Sequence, residues 1–101
     1  MRVRFKMGEP LWRTVGSRET TVEFGAPGLA AASVGQALDA LAAAHPEAGR
    51  EMRLGTKESD FYYSLFVNDR LVLFSKRAVA PLKDGDEISV LLPLAGGGGD
   101  D

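Results

Sequence analysis

The positions of apolar residues follow a period of two in three segments of the chain, which predicts that each of them is a β-strand. Apolar and polar residues alternate at 2–6, at 19–24 and again at 88–92, as they do in strands that bury one face. We expect the first two strands to pair antiparallel, with a turn at Gly16-Ser17 between them. The alternation at 88–92 predicts the last strand of the fold.

A β-hairpin is predicted in the second half of the chain. The run 61–67 is the most strand-like in the sequence, and the turn-forming residues 68–70 separate it from a second apolar run at 71–74. We expect the first strand of this hairpin to lie centrally in the sheet. Asp84-Gly85 predicts a further turn directly before the last strand.

One segment has helical periodicity instead. Ser33 followed by Gln36 matches a capping box, which marks the start of a helix, and His45-Pro46 marks its end. The apolar residues between these signals recur at intervals of three and four, and they are Val34, Ala37, Leu38, Leu41 and Ala42. They predict one main helix with a single buried stripe. The polar segment 47–59 predicts a crossing segment and a surface loop.

The order of these elements predicts an α+β fold of the β-grasp, or ubiquitin-like, type. Such a fold has a mixed sheet of four to five strands packed on one main helix, and its first and last strands pair in parallel. The last strand is then central, and whatever follows it leaves from one edge of the sheet. We assign residues 1–95 to this domain and 96–101, four glycines and two aspartates, to a flexible tail.

Composition and charge reduce the number of functional classes to which the chain could belong. The 101 residues carry 12 Lys and Arg against 14 Asp and Glu, so the net charge of −2 does not favour a nucleic-acid partner. No apolar run predicts a membrane span or a signal peptide, and we expect a cytoplasmic protein. The chain has no cysteine and a single histidine, His45, at a predicted helix end, so neither a thiol nucleophile nor a metal site is expected.

With these elements in place, the sequence resembles the MoaD/ThiS sulfur-carrier family, which includes the ubiquitin-like small subunits of molybdopterin synthase. The resemblance covers nearly the whole chain. The motifs that carry it are, in chain order, Pro10-Leu11, Gly16, Val22-Glu23, Leu38 and Leu41, Val67-Asn68, the turn and strand at 82–88, and Pro93-Leu94-Ala95-Gly96-Gly97.

The resemblance implies a carrier protein and not an enzyme. In this family an E1-like adenylating enzyme uses ATP and Mg²⁺ to activate the terminal glycine carboxylate, and a sulfurtransferase then replaces AMP with sulfur. The thiocarboxylate donates sulfur in cofactor or metabolite biosynthesis, and the molybdopterin type, with a synthase large subunit as partner, is the expected one here. ATP and Mg²⁺ belong to the activating enzyme, so the resemblance implies no cofactor bound to this chain.

The end of the sequence departs from the family pattern. The family's working form ends in Gly-Gly, whereas four residues follow Gly97 in this sequence. Attachment of the adenylate or thiocarboxylate is therefore expected at Gly97 after a peptidase has removed the residues beyond it. Gly99 is the alternative attachment site, because a cut there also leaves a diglycine end. The expected reactive tail comprises Gly96, Gly97, Gly98 and Gly99.

The family pattern also predicts where partners dock. It places Leu91 outward on the last strand, beside the tail, with Phe66 and Phe74 as further candidates for the same surface. Two alternatives to a sulfur carrier remain open from the sequence. One is a ubiquitin-like modifier conjugated to lysines of other proteins through the same glycine, and the other is a β-grasp interaction domain whose tail is never activated.

Overall fold

A computed structural model describes residues 1–9, 11–29, 31–52 and 63–91. Within these ranges the chain forms seven strands, three α-helices and one 3₁₀ helix. In chain order these are β1 (Arg2–Met7), α1 (Leu11–Val15), β2 (Glu19–Glu23), β3 (Ala31–Ser33), α2 (Val34–Ala44), α3 (Pro46–Glu51), β4 (Ser64–Val67), β5 (Arg70–Val72), the 3₁₀ helix (Phe74–Lys76), β6 (Pro81–Lys83) and β7 (Glu87–Leu91).

The main sheet has five strands in the order β2-β1-β7-β4-β5. The first strand β1 pairs antiparallel with β2 and parallel with the last strand β7, as the sequence predicts. The other side of β7 pairs antiparallel with β4, so the last strand is the central one. This strand order confirms the predicted β-grasp topology. A second sheet of two strands, β3 and β6, was not predicted from the sequence.

The hydrophobic core lies between one face of the main sheet and the helices. The burial of β1 alternates strictly, with Val3 and Phe5 fully buried and the basic residues between them exposed. The helical stripe faces the same core through α2, where Val34, Leu38 and Leu41 have no exposed surface. The residues of each strand that point away from this core form the outer face of the sheet, which carries the candidate site.

The predicted capping box starts α2. Ser33 N–H donates to Gln36 Oε1 at 2.9 Å, and Gln36 N–H donates to Ser33 Oγ at 3.2 Å. The helix ends where His45 N–H donates to Leu41 O at 2.8 Å. The capping box leaves two backbone N–H groups at the start of α2, those of Val34 and Gly35. They donate to the carbonyl groups of Ala80 and Arg77, respectively. The N-terminus of α2 is thereby fully hydrogen-bonded within the fold.

The structure corrects the prediction for the segment after α2. Residues 47–51 belong to the third α-helix, α3, and not to an irregular crossing segment. Ala48 and Met52, four residues apart, are fully buried, so α3 presents one small apolar face to the core. The rest of the predicted loop, from residue 53 onward, lies outside the described residues.

Gly49 controls how closely α3 approaches α2, and Gly49→Ala is expected to destabilise the protein. A Cβ at position 49 would lie 2.8 Å from the Cβ of Ala42, so the two helices would have to move apart. We expect a loss of about 1–2 kcal/mol in the free energy of unfolding, measured in urea. Gly35→Ala is the matched control, since its Cβ would meet neighbours at ordinary distances of 3.4 Å and beyond. Equal stabilities of the two variants would contradict this account of the helix contact.

Candidate docking surface and the strand that carries the tail

An apolar patch lies on the outer face of the sheet, and the strand register defines it. Phe66 of β4 is opposite Ser89 of β7 on one side and Leu71 of β5 on the other. Residues directly opposite each other in a sheet share a face, so these side chains point away from the core. Leu91 of β7 lies on the same face, two residues beyond Ser89 along the strand. We call Phe66, Leu71 and Leu91 the apolar patch.

The burial of the same strands explains why the patch is exposed. Leu65 and Val90 form the neighbouring pair in the ladder, and both are completely buried. Because side chains alternate between the two faces, the residues on either side of that pair must point outward. Leu91 is 39% exposed and Leu71 is 61% exposed, while Phe66 is half-buried. Large apolar residues that remain exposed on one face of a sheet form a candidate interaction surface.

The structure brings two of the three predicted docking residues together and corrects the third. Leu91 and Phe66 share the patch, and their role in docking stays a prediction. Phe74 is only 3% exposed. The apolar run at 71–74 predicted a strand through Phe74, but β5 ends at Val72 and the chain turns into the 3₁₀ helix, which directs the Phe74 ring into the core. Phe74 is therefore unavailable for docking.

Leu71 belongs to the patch, although the sequence analysis did not select it. The sequence predicts Arg70 as part of the turn, whereas Arg70 is the first residue of β5, and the turn therefore has two central residues, which fixes the register of the hairpin. Asn68 and Asp69 both have positive φ angles, 49° and 72°, as the central residues of such a turn require. With Val67 paired to Arg70, the next pair is necessarily Phe66 with Leu71.

The half of the outer face formed by β1 and β2 is charged. Glu87 accepts a hydrogen bond from Arg4 at 2.8 Å, and Lys6 Nζ lies 3.4 Å from the same carboxylate. At the start of β1, Arg2 pairs with Glu23 of β2 at 2.7 Å. Exposed pairs of this kind contribute little stability, but they give the face an apolar half and a polar half. A protein that covered both halves would bind in one orientation, because only the half formed by β1 and β2 is charged.

The C-terminal end of β7, which leads to the tail, is held by the residue that follows β1. Gly8 N–H donates to Val90 O at 3.1 Å, directly after β1 has run beside β7. A Cβ on Gly8 would lie 3.1 Å from Leu91 Cδ2, so the missing side chain leaves room for Leu91. Leu91 is the last residue described, and Leu92 and the glycines 96–99 lie outside the described residues. The roles predicted for Gly97 and Gly99 therefore stay predictions.

The described part of the chain was also searched for a histidine site, a metal site and a membrane-spanning helix. His45 lies at the junction of α2 and α3, half-buried, and its side chain makes no capping hydrogen bond. Among the described residues, no group of three or more His, Cys, Asp or Glu side chains is placed to hold a metal ion. No helix in these ranges is long and apolar enough to cross a membrane.

A central last strand, an open sheet face beside its end and a single long helix on the opposite face define a ubiquitin-like β-grasp protein. The sequence model of the ThiS family matches residues 18–97, and the chain belongs to the ThiS family. The match extends through Gly97 and ends there. The family match confirms the expectation of a MoaD/ThiS-type protein. No curated protein is significantly similar to the chain in sequence.

Several solved structures are similar over almost the full length of the chain. Small archaeal modifier protein 1 from Haloferax volcanii is 26% identical with a TM-score of 0.71, and the match covers 95% of this chain and 99% of that one. A chain of the BexX/CysO complex from Amycolatopsis orientalis is 27% identical with a TM-score of 0.69, with coverages of 93% and 98%. A putative molybdopterin converting factor subunit 1 from Pyrococcus furiosus, 21% identical with a TM-score of 0.64 and coverages of 92% and 98%, shares the fold.

Proposed function

We propose that this protein is a sulfur carrier whose C-terminal glycine is adenylated by a partner and converted to a thiocarboxylate. The observation that carries the proposal is the match of the ThiS family through Gly97, on a fold whose last strand is central. The carrier supplies only a carboxylate and a docking surface. An E1-like adenylating enzyme with ATP and Mg²⁺, and a sulfurtransferase, supply the chemistry.

The apolar patch supports this function because activation needs an enclosed reaction site. A carboxylate is a poor electrophile, whereas its mixed anhydride with AMP is reactive and has to be protected from water. Docking of the patch beside the end of β7 would deliver the residues after Leu91 into a closed channel. Glycines suit that path, because they have no side chain to clash with the channel wall.

The reactive end is proposed to be Gly97, with Gly99 as the alternative. Because the sequence continues to Asp101, the proposal includes a peptidase that removes the residues after the reactive glycine. Exposed, glycine-rich segments are good protease substrates. Intact mass measurement of the protein from the cytoplasm in which it is naturally made tests this step. Sulfur transfer by a chain that always retains Asp100 and Asp101 would contradict it.

Three chains ending at Gly97, Gly99 and Asp101 test the carrier function directly. Each is incubated with a candidate adenylating enzyme, a sulfurtransferase, a sulfur donor and ATP, and its mass is measured. We expect the form ending at Gly97 to exchange one oxygen for sulfur only when ATP is present, and the form ending at Asp101 to remain unchanged. If none of the three forms is modified by any cognate enzyme, the domain functions without activation of its tail.

A protein modifier is the second candidate function, and the similarity to small archaeal modifier protein 1 favours it. The two functions share the adenylation step and differ in the acceptor. A thiocarboxylate on the free protein supports the carrier. Isopeptide-linked diglycine remnants on lysines of other proteins, found by mass spectrometry after digestion, support the modifier. The acceptor of the sulfur, with a molybdopterin precursor as the first candidate, is tested by transfer from the purified thiocarboxylate.

A further inference from the structure

A guanidinium group is held against the single tryptophan of the chain. Arg18 Cζ lies 4.9 Å from the centre of the Trp12 ring, and Arg13 Cζ lies 5.2 Å from it. Trp12 is half-buried and packs against the core, so its ring is a fixed platform. A cation at this distance from an indole ring is attracted to it, and the contact also restricts the arginine side chain.

The two arginines at Trp12 differ in what their N–H groups contact. Arg13 donates to both carboxylate oxygens of Glu9, at 3.2 Å each. These hydrogen bonds and the charge of Arg13 hold the pKa of Glu9 below its usual value. Arg18 is exposed, and within the described ranges its guanidinium donates no hydrogen bond and makes no ion pair. The charge of Arg18 also contributes to lowering the pKa of Glu9, but no hydrogen bond joins the two groups, so the N–H donors of Arg18 have no acceptor in the described ranges.

Arg18 lies at the same end of the sheet as the strand that leads to the tail. Met7, the last residue of β1, donates its N–H to Arg18 O at 2.9 Å. On the other side of β1, Gly8 N–H donates to Val90 O. Arg18 and the end of β7 are thus separated by one strand, so their backbones are about 10 Å apart. Arg18 is opposite Met7, which faces the core, whereas Leu91 points to the outer face. A protein that receives the tail therefore contacts both residues only if it extends around this end of the sheet.

We propose that Trp12 and Arg18 form an anchor for a carboxylate of an acidic segment on the adenylating partner. A guanidinium restricted by an aromatic ring, with its edge free, binds a carboxylate through two parallel hydrogen bonds at a reduced entropic cost. Arg13 is paired with Glu9, whereas Arg18 makes no ion pair in the described ranges, and this uncompensated charge favours an acidic partner. The anchor rests on the proposed function, because it fixes the orientation of the protein while the tail is delivered.

Charge reversal at Arg18 tests the anchor. The form ending at Gly97 is titrated onto the enzyme that adenylates it, and the dissociation constant is measured at low and at high salt. We expect Arg18→Glu to weaken binding by about tenfold or more and to reduce its salt dependence. Arg18→Lys should weaken binding less than Arg18→Glu does, because a lysine keeps the positive charge but cannot make the bidentate hydrogen bonds of a guanidinium.

Arg70→Glu is the matched control. Arg70 is also exposed and makes no ion pair in the described part of the chain, but it lies in the hairpin at the opposite end of β7. We expect this variant to bind within about twofold of the wild type, because a distant exposed charge contributes little. Equal weakening by Arg18→Glu and Arg70→Glu would reduce the anchor to a general charge effect, and unchanged binding of Arg18→Glu would overturn it.

Two further measurements separate the anchor from other causes. Urea unfolding of Arg18→Glu shows whether the fold is intact, and we expect a change below about 0.5 kcal/mol. A partner variant with an acidic residue near its tail channel changed to arginine should restore binding to Arg18→Glu and weaken binding to the wild type. Absence of any thiocarboxylate on the wild-type protein counts against the proposed function, whereas loss of discrimination between positions 18 and 70 counts against the anchor alone.

Discussion

Replacement of Leu91 by aspartate is expected to lower the rate of thiocarboxylate formation by at least about 100-fold when the adenylating enzyme is below saturation. Leu91 is exposed, lies at the end of the central strand and is the last residue that the structure describes before the tail. In the proposed complex its side chain is covered by the partner, and a carboxylate there would lose its hydration without gaining a pairing group. The measurement is the initial rate of sulfur incorporation by intact mass, at several enzyme concentrations.

Val79→Asp is the control for this variant, because it places the same carboxylate on an exposed apolar residue away from the outer face. Val79 is 76% exposed and lies in the turn before β6, outside the main sheet. We expect Val79→Asp to react at the wild-type rate, and Leu91→Asp to recover much of its rate at saturating enzyme. Similar rates for the wild type and Leu91→Asp at low enzyme concentration would remove Leu91 from the docking surface.

Replacement of Phe5 by alanine is expected to cost about 3–5 kcal/mol of unfolding free energy. Phe5 has no exposed surface and lies on β1 between Thr20 of β2 and Ile88 of β7. Removing its ring leaves a cavity beneath the strand that holds the tail. Urea denaturation measures the effect. The dependence of the unfolding free energy on urea concentration should be the same in the variant and the wild type, because a changed slope would mean that the unfolded state has also changed.

Phe66→Ala is the matched control for the core variant. The same ring is removed, but from the outer face, where Phe66 is half-buried. We expect a loss of about 1–2 kcal/mol, because part of that ring already contacts water. Comparable losses at positions 5 and 66 would mean that the outer face is covered in solution and would contradict the assignment of the apolar patch.

The sequence predicts the parts of the fold in which local pattern and tertiary structure agree. Val3 and Phe5 alternate with charged residues, and that alternation is sufficient to place β1 with one face buried. The capping box at Ser33 and Gln36 identifies the start of α2 to the residue, because its two hydrogen bonds are local. Parallel pairing of β1 with β7 follows from the connection rules once the order of strands and helix is known.

The elements that were missed depend on tertiary contacts. The segment of α3 has few apolar residues and includes Gly49, which disfavours a helix in isolation, yet the same glycine permits the close contact with Ala42. The strands β3 and β6 are three residues each, too short for a period to be recognised, and they form because they pair with each other. The position of Phe74 depends on where β5 ends, which the apolar pattern does not define.

In the candidate site, too, some residues can be predicted from a local sequence pattern and others depend on tertiary contacts. Leu91 follows from the period of the last strand, whereas Leu71 follows from the two-residue turn of the structure, which is one residue shorter than the turn predicted at 68–70. The stacking of Arg18 on Trp12 has no local signal, because the two residues come from α1 and the connection to β2 and meet only in the folded chain. Sequence spacing alone cannot distinguish this arginine from Arg13, whose pairing with Glu9 at four residues is the more predictable contact.

The central position of β7 has a mechanical consequence for a protein that is pulled by its end. A partner that draws the tail into a channel applies force along β7, which is hydrogen-bonded to β1 on one side and to β4 on the other. The ladders on both sides then resist in shear, with many bonds loaded together instead of one after another. An edge strand would peel away under the same load. We therefore expect the domain to keep its fold when force is applied to the end of β7.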